Sequence, residues 1–286
     1  MKDLPSLISH YKESAVLVLA TAPSRYLFLV DHALQQLIKK GQLAGANFHY
    51  TYELMAHIHM VALISIRRNL KWIEGIELSM AASNYFLFCA SLRGLIEAAA
   101  DSYFSLRPAL GTLTANFSLI KCCLEKRFDK ALFVDGPTED LVVHFIQAGK
   151  YEDKSKSPEH FKANKTMDYI ARIDEDDPQR AIYGLYQQLC QISHPARDSV
   201  WIFLDKRPDG TWGVKGMEDS QKINAALADA HLPAFERLFQ KSLNVSLLSL
   251  FFLDKIDSER FPCPGARTTD FSKVDGFSEM KKEAGL

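Results

Sequence analysis

Arg93 and Glu97 stand four residues apart in SLRGLIEAAADSYF, a spacing that puts a guanidinium and a carboxylate one turn apart on the same helix face. Such a pair can bond directly. In a segment this apolar both groups are expected to lose water, and an unpaired member is then costly. Glu97→Ala is accordingly expected to strand Arg93 and to cost about 3–5 kcal/mol. Asp101 continues the same face. Farther along, Tyr183, Tyr186, Cys190 and His194 in YGLYQQLCQISHP fall at i, i+3, i+7 and i+11, roughly one helix face, with Ser193 beside His194. Tyrosine and histidine pair apolar bodies with polar tips, and this stripe is expected to face the Arg93 helix. His194, Arg93, Glu97 and Tyr186 are therefore the candidate catalytic group. Histidine is the side chain best suited to general acid–base work at neutral pH, and His194 is the candidate for that role. An arginine beside it suits the stabilisation of developing negative charge. A plainer reading stands next to this one. The ion pair then fixes helix register, the histidine gains from a helix C-terminus, and the tyrosines pack with satisfied hydroxyls.

Other polar groups point to structure. His57 and His59 are two apart on a helix and point to different sides, and Glu53 shares a face with His57 alone, so no metal site is expected. The acidic run Asp174–Asp177 reads as a helix start, with Asp177 as N-cap and Pro178 at the first helical position. Arg67, Arg68 and Lys71 beside Trp72 read as a solvated basic face. The sequence contains no phosphate-binding glycine loop, dinucleotide fingerprint, nucleophile elbow, H-E-x-x-H, C-x-x-C or repeated Glu-x-x-His pair, so no cofactor is expected.

The elements that must position these residues are helices. Residues 5–21 and 24–40 read as two helices separated by Pro23, the second ended by Gly41. Residues 50–76 carry a long helical pattern. Residues 83–106 are apolar almost all round, which predicts a central helix ended by Pro108 and Gly111. Further helices are expected over 113–133, 138–149, 166–173, 178–194, 219–231 and 233–256, with a polar loop over 150–165. VWIFLD (200–205) and TWGVK (211–215) flank KRPDG, a hairpin signal in which Trp201 and Trp212 cap the bundle or offer an edge to a partner. The fold class expected is all-α, a multi-helix bundle with one short β-hairpin before the C-terminal helices. Residues 1–256 are expected to form a single domain with the hairpin at about 200–215. Residues 257–286 are expected to form a polar, flexible tail.

The chain has 286 residues, 47% hydrophobic and 24% charged, enough apolar material for a sizeable core. A formal net charge of -1 gives no basic excess to favour nucleic acid. Five cysteines, an odd number without C-x-x-C spacing, suit a reduced, cytoplasmic protein rather than a disulfide framework. The first residues lack the pattern of a secretory signal. The apolar stretches 81–100 and 243–253 are interrupted by charge or too short for a bilayer, so no membrane partner is expected.

The segments 91–104 and 183–195 together resemble an uncharacterised bacterial all-helical family, in which an Arg-x-x-x-Glu helix is followed by a helix carrying Tyr and Ser-His. That group is distantly similar to HEPN-type helical bundles, and the resemblance covers residues 80–200. It implies that the recurring polar positions are Arg93, Glu97, Tyr186 and His194. HEPN nucleases cut RNA without metal through an Arg-x(4–6)-His motif. Arg25 to His32 in RYLFLVDH is the match, in an N-terminal helix rather than the late helix where the family carries it. Two functions are expected alternatives. One is a binding or interaction protein with a buried Arg/Glu/Tyr/His cluster, self-associating as a homo-oligomer or taking a small ligand, within a bacterial stress or defence system. The other is a metal-independent HEPN-like ribonuclease acting on RNA, with His194 or His32 as acid–base group.

Overall fold

Apolar residues recurring at helical spacing drive most of the chain into α-helix. The structure is a computed structural model that describes residues 3–23, 26, 28, 31–149, 161–215, 227–272, 274 and 276–286, the side chains of 31 and 32 excepted. In chain order the elements are α1 (Leu4–Ala20), α2 (Asp31–Lys39), α3 (Leu43–Ala81), α4 (Tyr85–Ala115), α5 (Phe117–Leu124), α6 (Gly136–Gln147), α7 (Thr166–Ile173), α8 (Ala181–Ser193), α9 (Arg197–Trp201), β1 (Leu204–Lys206), β2 (Trp212–Val214), α10 (Leu232–Ile256), α11 (Pro264–Arg267) and α12 (Phe277–Glu283). The protein is all-α apart from the antiparallel β1–β2 hairpin ahead of the C-terminal helices. Among the described residues no helix is long and apolar enough to cross a membrane. The helix expected over 219–231 and the loop expected over 150–165 fall largely outside the described residues.

The chain divides into two compact units. The first comprises Met1–Glu13, Arg67–Asp101 and Lys165–Ser242; the second comprises Ser14–Ile66, Ser102–Asn164 and Leu243–Leu286. The first unit buries Tyr11, Ile73, Phe88, Leu92, Leu189 and Phe235. The second buries Met55, Ile58, Leu106, Ile120, Phe252 and Phe261.

Several boundaries differ from the sequence reading for identifiable reasons. Helix α4 runs through Pro108 to Ala115. The proline ring sits on the exposed side while Leu106, Ala109, Leu110 and Leu113 are buried, so packing of the opposite face outweighs the lost helical hydrogen bond. The helix expected over 113–133 is the short α5. It ends in a Schellman motif with Lys126 left-handed at φ 57°, where Arg127 N bonds Cys122 O at 2.8 Å and Lys126 N bonds Cys123 O at 3.0 Å. The VWIFLD strand is shortened because Val200 and Trp201 belong to α9. The hairpin pairs Leu204 with Val214, Asp205 with Gly213 and Lys206 with Trp212.

Residues 257–286 are not the loose tail that their scattered apolar residues suggest. They contain α11 and α12 and bury Phe261, Cys263, Ala266, Phe271 and Ala284. Phe271 and Phe277 meet the ring of Phe251 edge-on, with centroids 5.3 and 5.6 Å away. Single apolar residues without a period can each fill a separate site on an existing surface, which a helix-period search does not register. Gly265 shows how close the docking is. A Cβ there would lie 2.9 Å from Leu17 O and 2.9 Å from Val18 Cα, both backbone atoms of α1. Gly265→Ala is therefore expected to cost about 1–3 kcal/mol by overpacking. A thermal melt indistinguishable from wild type would show that this segment does not rest on α1.

Candidate functional site

All four candidate residues belong to the first unit, Arg93 and Glu97 on α4 and Tyr186 on α8 with His194 capping it. Arg93 Nε donates to Glu97 Oε1 at 3.0 Å, and the hydroxyl of Tyr186 donates to the same oxygen at 2.9 Å. Arg93 Nη1 donates to His194 Nε2 at 2.9 Å. A guanidinium can only donate, so in this arrangement Nε2 accepts and a neutral imidazole carries its proton on Nδ1. The guanidinium carbon lies 5.7 Å from the centroid of the Tyr186 ring. The cluster foreseen from spacing is thus assembled, with Glu97 as the acceptor at its centre.

Its surroundings differ from the sequence expectation. The cluster is not buried: the Arg93 and Glu97 side chains are 27% and 36% exposed, His194 is exposed, and Tyr186 alone is buried. Helix α8 stops at Ser193, and His194 is extended at φ -102° and ψ 163° ahead of Pro195, which carries its ring off the helix surface toward Arg93. The expected cost of Glu97→Ala falls accordingly, to about 1–2 kcal/mol. The loss arises mainly from a Tyr186 hydroxyl left without its acceptor, since Arg93 remains partly solvated. Urea denaturation of the variant checks this; a loss of about 4 kcal/mol would return the cluster to the core.

Burial, followed by the adjoining Glu97 carboxylate, raises the Tyr186 hydroxyl above the ordinary tyrosine range, so it stays a proton donor to Glu97. For Arg93, burial works against the charge but the hydrogen bond and charge of Glu97 outweigh it, and the guanidinium is held more firmly protonated. Arg93 Nη2 makes no hydrogen bond to any described residue. The arrangement therefore offers the terminal edge of a guanidinium, steadied from behind by Glu97 and flanked by an imidazole. This is donor geometry suited to a carboxylate or phosphate oxygen.

Compared with protein-family models, curated proteins and solved structures, the chain matches none.

The remaining sequence candidates lie elsewhere. Asp101 accepts from Arg68 Nη2 at 2.7 Å. Tyr183 accepts from Gln187 Nε2 at 3.0 Å and lies under Arg180. The Ser193 hydroxyl donates to Leu189 O at 2.7 Å. Trp72 packs against Gly94. Arg25 and the side chain of His32 lie outside the described residues. The acidic run does serve α8, but from upstream. Asp177 accepts from Gln179 N and Ala181 N at 3.0 Å each, and Asp174 accepts from Tyr183 N at 2.9 Å. The N-cap position itself is Arg180, left-handed at φ 47°, rather than Asp177. Arg237 and Lys241 from α10 pair with Asp176. Among the described residues no three His, Cys, Asp or Glu side chains are grouped to hold a metal.

Two groupings in the second unit escaped the sequence reading. His59 Nδ1 lies 2.6 Å from the hydroxyl of Tyr26, while His57 Nδ1 bonds Glu53 O at 2.9 Å and its ring stacks on Phe28. Asp254 accepts from Cys263 N and from Arg267. The residues of each grouping are distant in sequence, and no short motif announces them.

Proposed function

We propose that the protein is a binding protein whose Arg93–His194 edge receives an anionic group, a phosphate or carboxylate borne by a small ligand or partner. The observation that carries the reading is the division of labour within one guanidinium. Glu97 holds Nε at 3.0 Å and His194 takes Nη1 at 2.9 Å, which leaves Nη2 without a hydrogen bond to any described residue. A guanidinium locked by its own carboxylate has less rotamer freedom to lose on binding, and Nη2 can donate to an oxyanion beside the imidazole. Five cysteines, all free, suit a reducing cytoplasmic setting.

The test is a titration with inorganic phosphate, followed by NMR at the His194 ring protons. Wild type is expected to show a saturable shift that Arg93→Ala removes. A linear, unsaturable response in wild type overturns the reading.

A second reading is favoured by the direct Arg93–His194 contact: metal-independent RNA cleavage, as the HEPN resemblance implies, in a bacterial stress or defence role. The ribose 2′-oxygen would bond to the adjacent phosphorus as the P–O5′ bond breaks; His194, with Nε2 released from Arg93, would take the 2′-hydroxyl proton and pass it to the departing 5′ oxygen, while Arg93 would face the charge developing on the phosphorus-bound oxygens. Incubation with total RNA in EDTA tests it against His194→Ala and Arg93→Ala. Intact RNA after incubation with wild type removes this reading and leaves the first standing.

A further inference from the structure

The first unit leaves several large apolar side chains in water at one place, the hairpin and the short helix before it. Trp201 is 51% exposed, Trp212 49% and Val214 82%. The strand register places Leu204 opposite Val214 and Lys206 opposite Trp212, so these four share one face of the hairpin. Trp201 extends that face, meeting Trp212 edge-on with ring centroids 5.3 Å apart. Behind it, Phe86 of α4 packs on Phe203 at 5.6 Å. Lone exposed apolar residues are ordinary, but a contiguous aromatic patch on a framed surface marks an interface.

The charges around the patch select the partner. Arg197 sits over Trp201 and Lys206 over Trp212. Asp198 pairs with Arg197 at 3.3 Å, and Asp209 lies in the connecting turn. The described residues of α9 and the hairpin carry four cations, Arg197, Lys206, Arg207 and Lys215, and three carboxylates, Asp198, Asp205 and Asp209, so both signs stand around the patch. A polyanion would meet the carboxylates, and a strongly basic partner would meet the cations. A twofold interface must be complementary to itself, and an apolar centre with a rim of both signs meets that requirement. Strands of three residues with a lysine on the face also disfavour open-ended strand addition.

We propose that this face joins two copies of the chain about a twofold axis. Trp201, Trp212 and Val214 of each copy form the buried centre, and Arg197 and Lys206 of one copy meet Asp198 and Asp209 of the other. This stands independently of the anion-binding reading.

Sedimentation velocity on the full chain over about 1–100 µM tests it, since self-association follows mass action. Wild type is expected to move from monomer toward dimer across this range. Because two of the chain's three tryptophans lie in the face, its tryptophan emission is expected to shift to the blue over the same concentrations. Val214→Glu, at a side chain already in water, is expected to weaken association at least tenfold while keeping the far-UV spectrum of dilute wild type. Trp212→Ala provides the same reading without an added charge. A wild type that stays monomeric at the highest concentration overturns the proposal, even if it then binds an oligonucleotide or another protein. A dimer unaffected by both substitutions overturns it equally.

Discussion

Asp254→Ala is expected to destabilise the second unit by about 3 kcal/mol, a larger effect than any substitution in the Arg93 cluster. The Asp254 side chain is 2% exposed. One carboxylate does two tasks. Oδ1 accepts from Cys263 N at 3.0 Å, and the two oxygens take Arg267 as a fork, with Nε to Oδ2 at 2.6 Å and Nη2 to Oδ1 at 2.7 Å. Arg267 is largely solvated and loses little when left alone. The cost arises at the buried end, where a backbone N–H bonded to a charged acceptor is left unsatisfied. Asp254→Asn separates the parts, since its amide oxygen can still accept from Cys263 N while the charge is gone. Denaturant midpoints should rank wild type above Asp254→Asn, and that above Asp254→Ala. Equal midpoints would mean that Asp254 does not hold the segment containing α11.

Stability is expected to fall steeply with acid because of His59. This histidine is fully buried, and burial pushes its pKa from 6.5 down to about 4, against an opposing pull from Asp254 and the Pro262 carbonyl. The folded state keeps the ring neutral where the unfolded chain takes up a proton. Between pH 6.5 and 4 the unfolded state binds more protons, so stability declines as pH falls through that window and is independent of this group above it. A depression of this size amounts to roughly 3 kcal/mol by pH 4. Urea unfolding at a series of pH values, for wild type and for His59→Asn, isolates the contribution. The variant should lose the steep part of the dependence even if its absolute stability drops. Parallel curves would show that His59 charges freely in the folded protein.

The helices were legible where side-chain period and glycine punctuation agreed, and obscure where tertiary packing overrode local chemistry. Gly41 sits left-handed at the end of α2, with Gln42 N bonding Leu37 O at 2.9 Å, and glycine advertises such a stop. Ser83 and Lys126 adopt the same conformation at the ends of α3 and α5, at φ 51° and 57°. Neither residue type announces it, so the boundary near 124 escaped detection. Pro108 failed in the opposite sense, as a stop signal that the buried flank of α4 overrides. Within the site, four-residue spacing on α4 and the Tyr186–His194 stripe on α8 sufficed to bring the group together. Its depth did not follow, because exposure depends on which elements cover a helix end, and the turn of the chain at His194 ahead of Pro195 left that end open. Tyr183 shares the stripe in projection but lies about 4.5 Å farther back along the axis, where Arg180 and Gln187 engage it instead.

Each unit is assembled from three separated stretches of chain, and this bears on how the protein is made. Gly265 packs on Leu17 and Val18, and Thr114 bonds Glu283 at 2.7 Å, so the second unit closes contacts between early and very late residues. On the ribosome, the end of α1 around Leu17 and Val18 emerges long before Gly265, which packs on it. That surface must wait, shielded by chaperones or by transient non-native collapse, until the residues around 265 clear the exit tunnel. Stalled nascent chains shorter than that should be sensitive to protease across α1, and released full-length protein should not.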